Sequence, residues 1–249
     1  MKSISSLFLL PLFFLYSAPA LAQGKKLVLI NDTYAPFVLE AKKQPGPGLD
    51  IEIAVEALKT EGYEVEVKLV GWSRVLKSLK DGEADFTTTL SKKPDREEFI
   101  DWSDSYRSRT DYGFYASSDA KFEFKSLDDL NNKKLGTTKD FTYPEEITKG
   151  KKVTEETSDN IANTFSKLEK NRFDLLIMNS FVADFYIKDA NLSRKIKKFD
   201  FKYSNDGHVF MGFSKKKKLT DAIAAFNKGF AAITKSGKLK ELELKYGSK

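Results

Sequence analysis

Two eight-residue stretches of the chain, far apart in sequence, are built the same way. Leu79-Lys-Asp-Gly-Glu-Ala-Asp85-Phe is echoed by Leu168-Glu-Lys-Asn-Arg-Phe-Asp174-Leu, with identical spacing from Leu to Asp. In each, a helical pattern ends, a short turn follows, and an acid opens an apolar strand. The first lies in a series of strand 26–30, helix 50–60, alternating strand 64–70, helix 73–80 and strand 84–90. Ile51, Val55 and Leu58 share one face of the first of these helices. The second lies among strands starting at 134, 152 and 173 and helices over 159–170 and 181–188. Strands alternating with helices imply parallel pairing, because a parallel connection needs a crossover long enough to hold a helix. A βαβαβ series that occurs twice predicts two α/β lobes, each a mostly parallel sheet with flanking helices.

Tyr112-Gly-Phe-Tyr-Ala116 and His208-Val-Phe-Met-Gly-Phe213 flank the second series and are apolar and β-prone. They are read as two crossing strands that carry the chain out of lobe one and back. Lobe one is then 23–114 plus 208–249, completed by helices over 219–234 and 238–246, and lobe two is 115–207. A two-strand connection permits the lobes to hinge around a ligand.

The first 22 residues are set aside from the fold. Met1 and Lys2 precede an apolar run over 7–16 that is interrupted by Pro11, and Ala20 and Ala22 form an A-x-A exit. This pattern predicts a secretory signal peptide over 1–22, and the run is too short to span a bilayer as a helix. Cleavage there leaves Gln23 first. No cysteine stands at the junction, so no lipid anchor is expected, and the mature chain is expected in the periplasm.

The chain has no cysteine and one histidine, His208. A Cys nucleophile and Cys- or His-rich metal sites are thereby excluded; neither a catalytic residue, a metal site nor a cofactor is implied. The formal charge of +6 comes from lysines scattered among acids. Nucleic-acid binding would want Arg and aromatics interleaved on one face, so no nucleic acid is expected as a partner.

Thr87-Thr-Thr-Leu-Ser-Lys-Lys-Pro-Asp-Arg96 is the stretch with most chemistry. A hydroxyl run leads into a helix opened by Pro94, which suits the first helical position. Arg96 falls in its first turn, where a cation opposes the helix dipole. That conflict is relieved if an anion joins it, and a guanidinium offers a carboxylate a planar fork of donors. The bland alternative for Arg96 is a surface pair with Glu97 or Asp101.

Other ordered motifs follow the same chain. They are Tyr34-Ala-Pro-Phe37, Gly48-Leu-Asp50-Ile-Glu-Ile-Ala, Gly82-Glu-Ala-Asp85, Phe99-Ile-Asp-Trp-Ser-Asp-Ser-Tyr106, Leu127-Asp-Asp-Leu-Asn-Asn-Lys-Lys-Leu-Gly136 and Ser236-Gly-Lys-Leu-Lys-Glu-Leu. In this order and spacing they resemble the periplasmic solute-binding proteins of family 3, which deliver polar amino acids and related solutes to ABC importers. The resemblance covers nearly the whole mature chain.

The resemblance implies a two-lobed periplasmic-binding-protein fold, a small-molecule solute with a carboxylate as ligand, and a membrane permease of an ABC importer, or a receptor, as partner of a monomer. A same-fold dehydratase or a ligand-presenting sensory protein is the alternative. By position, Arg96 would pair with the ligand carboxylate, helped by Thr89 and Ser91. Tyr34 and Trp72 would cover the ligand's two faces, or else pack on their own lobe. Lys93 stands where the family usually has a threonine cap, and Lys92 where an apolar residue is common. Thr142 would reach the carboxylate from lobe two, or cap a helix with Glu145. Asn179 stands where amino-acid binders carry an aspartate for the α-ammonium. An amide there weakens recognition of that ammonium, unless Asp32, Asp140 or Asp184 substitutes.

Overall fold

The computed structural model describes residues 25–40, 45–108, 110–139 and 141–247. The leader read over 1–22 and the candidate Asp140 lie outside the described residues. Ten strands form two five-stranded sheets. The first holds β1 (Lys25–Asn31), β2 (Tyr63–Leu69), β3 (Phe86–Leu90), β4 (Ile100–Trp102) and β10 (Phe210–Ser214), in the order β2-β1-β3-β10-β4. The second holds β5 (Thr110–Ser117), β6 (Lys134–Thr138), β7 (Thr154–Ser158), β8 (Leu175–Asn179) and β9 (Ile196–Asn205), in the order β7-β6-β8-β5-β9.

The two orders are the same plan. In each sheet three strands of the βαβαβ series run parallel, and two more join antiparallel at one side. Helices α1 (Leu49–Thr60) and α2 (Trp72–Asp81) serve the first sheet; α4 (Ile161–Glu169) and α5 (Ser180–Asp189) serve the second. Helix α3 (Glu145–Thr148) is one turn.

The echoed octets do the same work in both lobes. Asp85 accepts from the Val28 amide at 2.6 Å and returns its own N–H to the Val28 carbonyl at 3.0 Å. Asp174 does the same to Lys134, at 2.8 Å and 2.9 Å. Each acid thus pairs with both backbone polar groups of one residue on the first strand of its βαβαβ series.

The strands expected at 112–116 and 208–213 exist, but neither spans the lobes. Strand β5 lies wholly in the second sheet, so the boundary drawn at 114/115 cuts it. The described crossings are the segments 103–108 and 206–209, irregular stretches that pair through Tyr106 N–H to Val209 O (3.1 Å) and Val209 N–H to Arg107 O (2.8 Å). Strand β9 was not anticipated, although Phe199-Asp-Phe-Lys-Tyr203 alternates as an edge strand should.

The chain end returns to lobe one. Helices α6 (Thr220–Lys235) and α7 (Lys238–Tyr246) pack on α1. Gly229 is required there, since a Cβ would stand 1.9 Å from the Ala57 carbonyl oxygen. The Tyr246 hydroxyl accepts from the Gly48 N–H at 3.0 Å and ties α7 to the start of α1.

Candidate functional site

A cleft of about 890 Å³ lies between the lobes. All seven residues singled out from sequence, Tyr34, Trp72, Thr89, Ser91, Arg96, Thr142 and Asn179, line it. Residues from both sheets meet across it. Tyr34 packs edge-on against Phe141 (centroids 5.2 Å apart) and Phe37 against Phe181 (5.3 Å), so loop 32–40 of lobe one touches lobe two.

Arg96 is 5% exposed, so it is not the surface residue that the bland alternative describes. Its helix is shorter than expected: Pro94–Arg96 is a single 3-10 turn, and β4 begins at Ile100. The anion-attracting helix end read from Pro94 is therefore absent, and the charge of the guanidinium itself is what remains. Arg96 Nη1 donates to the Ser91 carbonyl at 2.9 Å, and its guanidinium carbon sits 5.6 Å from the centre of the Trp72 ring.

Trp72 opens α2. Gly71, the residue before it, has no side chain to cap the helix, and Asp32 supplies the cap instead, accepting from Trp72 N–H at 2.9 Å. Its other oxygen accepts from Thr33 N–H at 2.7 Å. Asp32 is thus committed to backbone. The Trp72 indole Nε1 is buried and makes no hydrogen bond among the described residues.

The hydroxyl run behaves differently from expectation. Thr89 has φ of 61°, a left-handed conformation that a β-branched residue rarely adopts. This turns its side chain inward, where the hydroxyl donates to Asp50 Oδ2 at 2.7 Å. Asn31 Nδ2 donates to the Thr88 hydroxyl at 2.7 Å, and Thr88 and Thr89 hydroxyls are 3.1 Å apart. With the Thr89 proton on Asp50, the Thr88 proton must point at Thr89. Both hydroxyl protons are spent inside lobe one, so Thr89 has no proton to give a ligand carboxylate.

Asp50, fully buried, is the hub of this network. It accepts from the Tyr106 hydroxyl at 2.6 Å and from both terminal nitrogens of Arg107 at 3.0 Å. Arg107 was missed by sequence reasoning: no local pattern joins residues 57 positions apart. Its guanidinium lies 4.0 Å above the Phe37 ring and its side chain, 24% exposed, lines the cleft. Burial, the largest influence, works against the Arg107 charge, but Asp50, Tyr106 and Tyr34 together outweigh it, so its pKa is raised. Burial also raises the phenol pKa of Tyr34, with Tyr143 and Tyr112 next in effect.

On lobe two, Thr142 is not a cap. Helix α3 starts at Glu145 behind Pro144 with no side-chain cap bond, and the Thr142 carbonyl accepts from the Tyr112 hydroxyl at 3.1 Å. Asn179 is the N-cap of α5, its Oδ1 accepting from Phe181 N–H (3.0 Å) and Val182 N–H (3.2 Å). The one acceptor the amide could offer an ammonium is therefore used, and its NH₂ is left as a donor. Asp184 does not line the cleft; it accepts from Tyr115 OH and Lys198 Nζ. The other cleft carboxylates, Glu40, Asp159, Asp189 and Asp206, are all exposed.

Against known families, the sequence profile of the bacterial extracellular solute-binding proteins, family 3, matches residues 27–249. The chain belongs to this family. It is similar to the arginine-binding extracellular protein ArtP of Bacillus subtilis (strain 168), 28% identical over 233 residues that span 90% of this chain and 87% of ArtP. It is also similar to the L-cystine-binding protein TcyA of the same organism, 23% identical over 226 residues, 90% of this chain and 81% of TcyA. Among solved structures, an ancestral arginine-binding protein bound to arginine superposes with a TM-score of 0.75 at 21% identity, covering 90% of this chain and 99% of that one. The family-3 fold therefore has its two lobes here; of the sequence motifs, Tyr34-Ala-Pro-Phe37 and the stretch ending in Arg96 line the cleft between them. Within the described residues no helix is long and apolar enough to cross a membrane.

Proposed function

We propose that this family-3 protein captures a small carboxylated solute, an amino acid or a relative of one, between its lobes and closes on it by hinge motion. The closed form is then read by the permease of an ABC importer. The observation that carries the reading is Arg96: a buried guanidinium beside Trp72 on one cleft wall, with the Asn179 amide on the other. A carboxylate between them gains charge-assisted hydrogen bonds from lobe one, and the amide of lobe two gives it a reason to stay closed. Only interactions that differ between open and closed states shift that equilibrium.

Ser91 and Thr142 stay in this reading as hydroxyls that turn to the ligand, Tyr34 and Trp72 as its aromatic walls, and Thr89 as the residue that fixes the wall behind Arg96. The reading also has residues 1–22 as an export leader, the mature monomer in the periplasm without a lipid anchor, and lobe one built from both chain ends.

The test is a thermal-shift screen of amino acids, dicarboxylates and small peptides on the mature chain. A ligand of the folded state raises the melting temperature, and Arg96→Ala should remove the shift. An unchanged shift in the variant would overturn the assignment. Incubating each hit and looking for product distinguishes binding from a dehydratase activity on the same scaffold.

A further inference from the structure

The donors and acceptors of the cleft are unevenly matched. Asp50, fully buried behind the cleft wall, is committed to Arg107, and Asp32, which lines the cleft, to the start of α2. The Asn179 oxygen is committed to α5. What remains inside is mostly donors: the amide of Asn179, the indole N–H of Trp72 and Arg107, against one buried acceptor without a hydrogen bond among the described residues, Asn205 Oδ1. A guanidinium carries five N–H groups. Two of those of Arg107 reach Asp50, which leaves three uncommitted on a side chain that lines the cleft.

Arg107 also occupies a particular place. A carboxylate below, the Phe37 face at 4.0 Å and the Tyr106 ring at 5.5 Å are what a cationic ligand tail would seek, through charge and through the ring quadrupoles. Here the chain's own guanidinium fills that position. Its charge is balanced by Asp50, so the pair is a hydrogen-bond donor without strong net charge.

We propose that Arg107 is a specificity-determining residue: held by Asp50 against Phe37, it takes the place of a cationic ligand tail and turns donors toward the cleft, so that the protein selects a carboxylated solute whose distal group accepts hydrogen bonds, an amide or a carboxylate, over one ending in ammonium or guanidinium. This rests on the carboxylate-binding reading of the same cleft. It adds a second anchor, on the hinge segment itself, for the end of the solute away from Arg96.

The test is calorimetry on the mature chain with L-glutamine, L-glutamate, L-arginine and L-lysine. Wild type is expected to bind glutamine or glutamate at least tenfold tighter than arginine or lysine. Arg107→Ala uncovers Asp50 in a guanidinium-sized space and should shift the ratio tenfold or more toward arginine, an effect that millimolar free guanidinium reverses. Should that variant not fold, the neutral pair Asp50→Asn/Arg107→Gln replaces it, and the preference should collapse toward equal affinity. Tighter binding of arginine or lysine by wild type, or a ratio unmoved in either variant, overturns the proposal. Binding of none of the four overturns it as well. Arg96→Ala separates the two ideas: if it weakens all four ligands alike while the ratio follows residue 107, both stand. If it weakens none, the carboxylate assignment fails while the ratio still judges Arg107.

Discussion

The carboxylate of Asp50, in the first turn of α1, takes both terminal nitrogens of Arg107 at 3.0 Å, and Arg107 lies on the first of the two segments that join the lobes. That segment is therefore fastened to α1 by an ion pair whose Asp50 is fully buried and whose Arg107 lines the cleft. Removing one partner of such a pair leaves a charge uncompensated. Asp50→Ala should lower unfolding stability by about 3 kcal/mol. Asp50→Leu/Arg107→Met should recover much of that loss, and a double-mutant cycle by urea denaturation measures the coupling.

Arg96→Ala tests the other cation. Losing a charge-assisted contact worth about 2 kcal/mol should weaken the ligand found by screening roughly thirtyfold. Stability without ligand should change far less than affinity.

The echoed acids make a paired prediction. Asp85→Ala and Asp174→Ala each orphan a strand amide, which costs about 1–3 kcal/mol where water cannot replace the partner. Asp85 is buried and also meets Lys217 Nζ at 3.1 Å, whereas Asp174 is exposed. The denaturation midpoint should therefore fall further for Asp85→Ala.

Gly229→Ala should destabilise although alanine is the better helix former. Its Cβ would overlap the Ala57 carbonyl oxygen, at 1.9 Å, and α6 would have to move off α1. Overpacking of this kind costs about 1–3 kcal/mol, read as a lower denaturation midpoint at unchanged m-value.

Alkali should act through buried phenols. Burial pushes Tyr112 up to about 12, with Tyr143 and Tyr203 adding to it, and burial likewise pushes Tyr143 up to about 12. Unfolded tyrosines ionise near about 10, so between these values the native state holds more protons. The stability these groups contribute is complete below the lower value and is lost as pH rises toward the higher one. Absorbance of tyrosinate should lag free tyrosine until the chain unfolds.

The sequence by itself determined the lobes. Periodicity, strand spacing and the Leu-to-Asp octets are local signals, and 3.6- and 2-residue repeats place apolar faces without knowledge of the partner. The alternation that would have revealed β9 is such a signal too. The same locality brought out the residues of the cleft one at a time, since a lone Trp, Arg or Asn after a strand is visible in its own segment.

Only the tertiary structure decided what those residues are free to do. Thr89 gives its proton to Asp50 and Asn179 its oxygen to α5, while Pro94 opens one 3-10 turn where a helix was expected. Arg107 finds Asp50 across 57 positions, and the crossing falls on irregular backbone that has no period to read. Hydrogen bonds compete for the same few protons and lone pairs. Which partner wins is set by distances between segments that a sequence pattern does not contain.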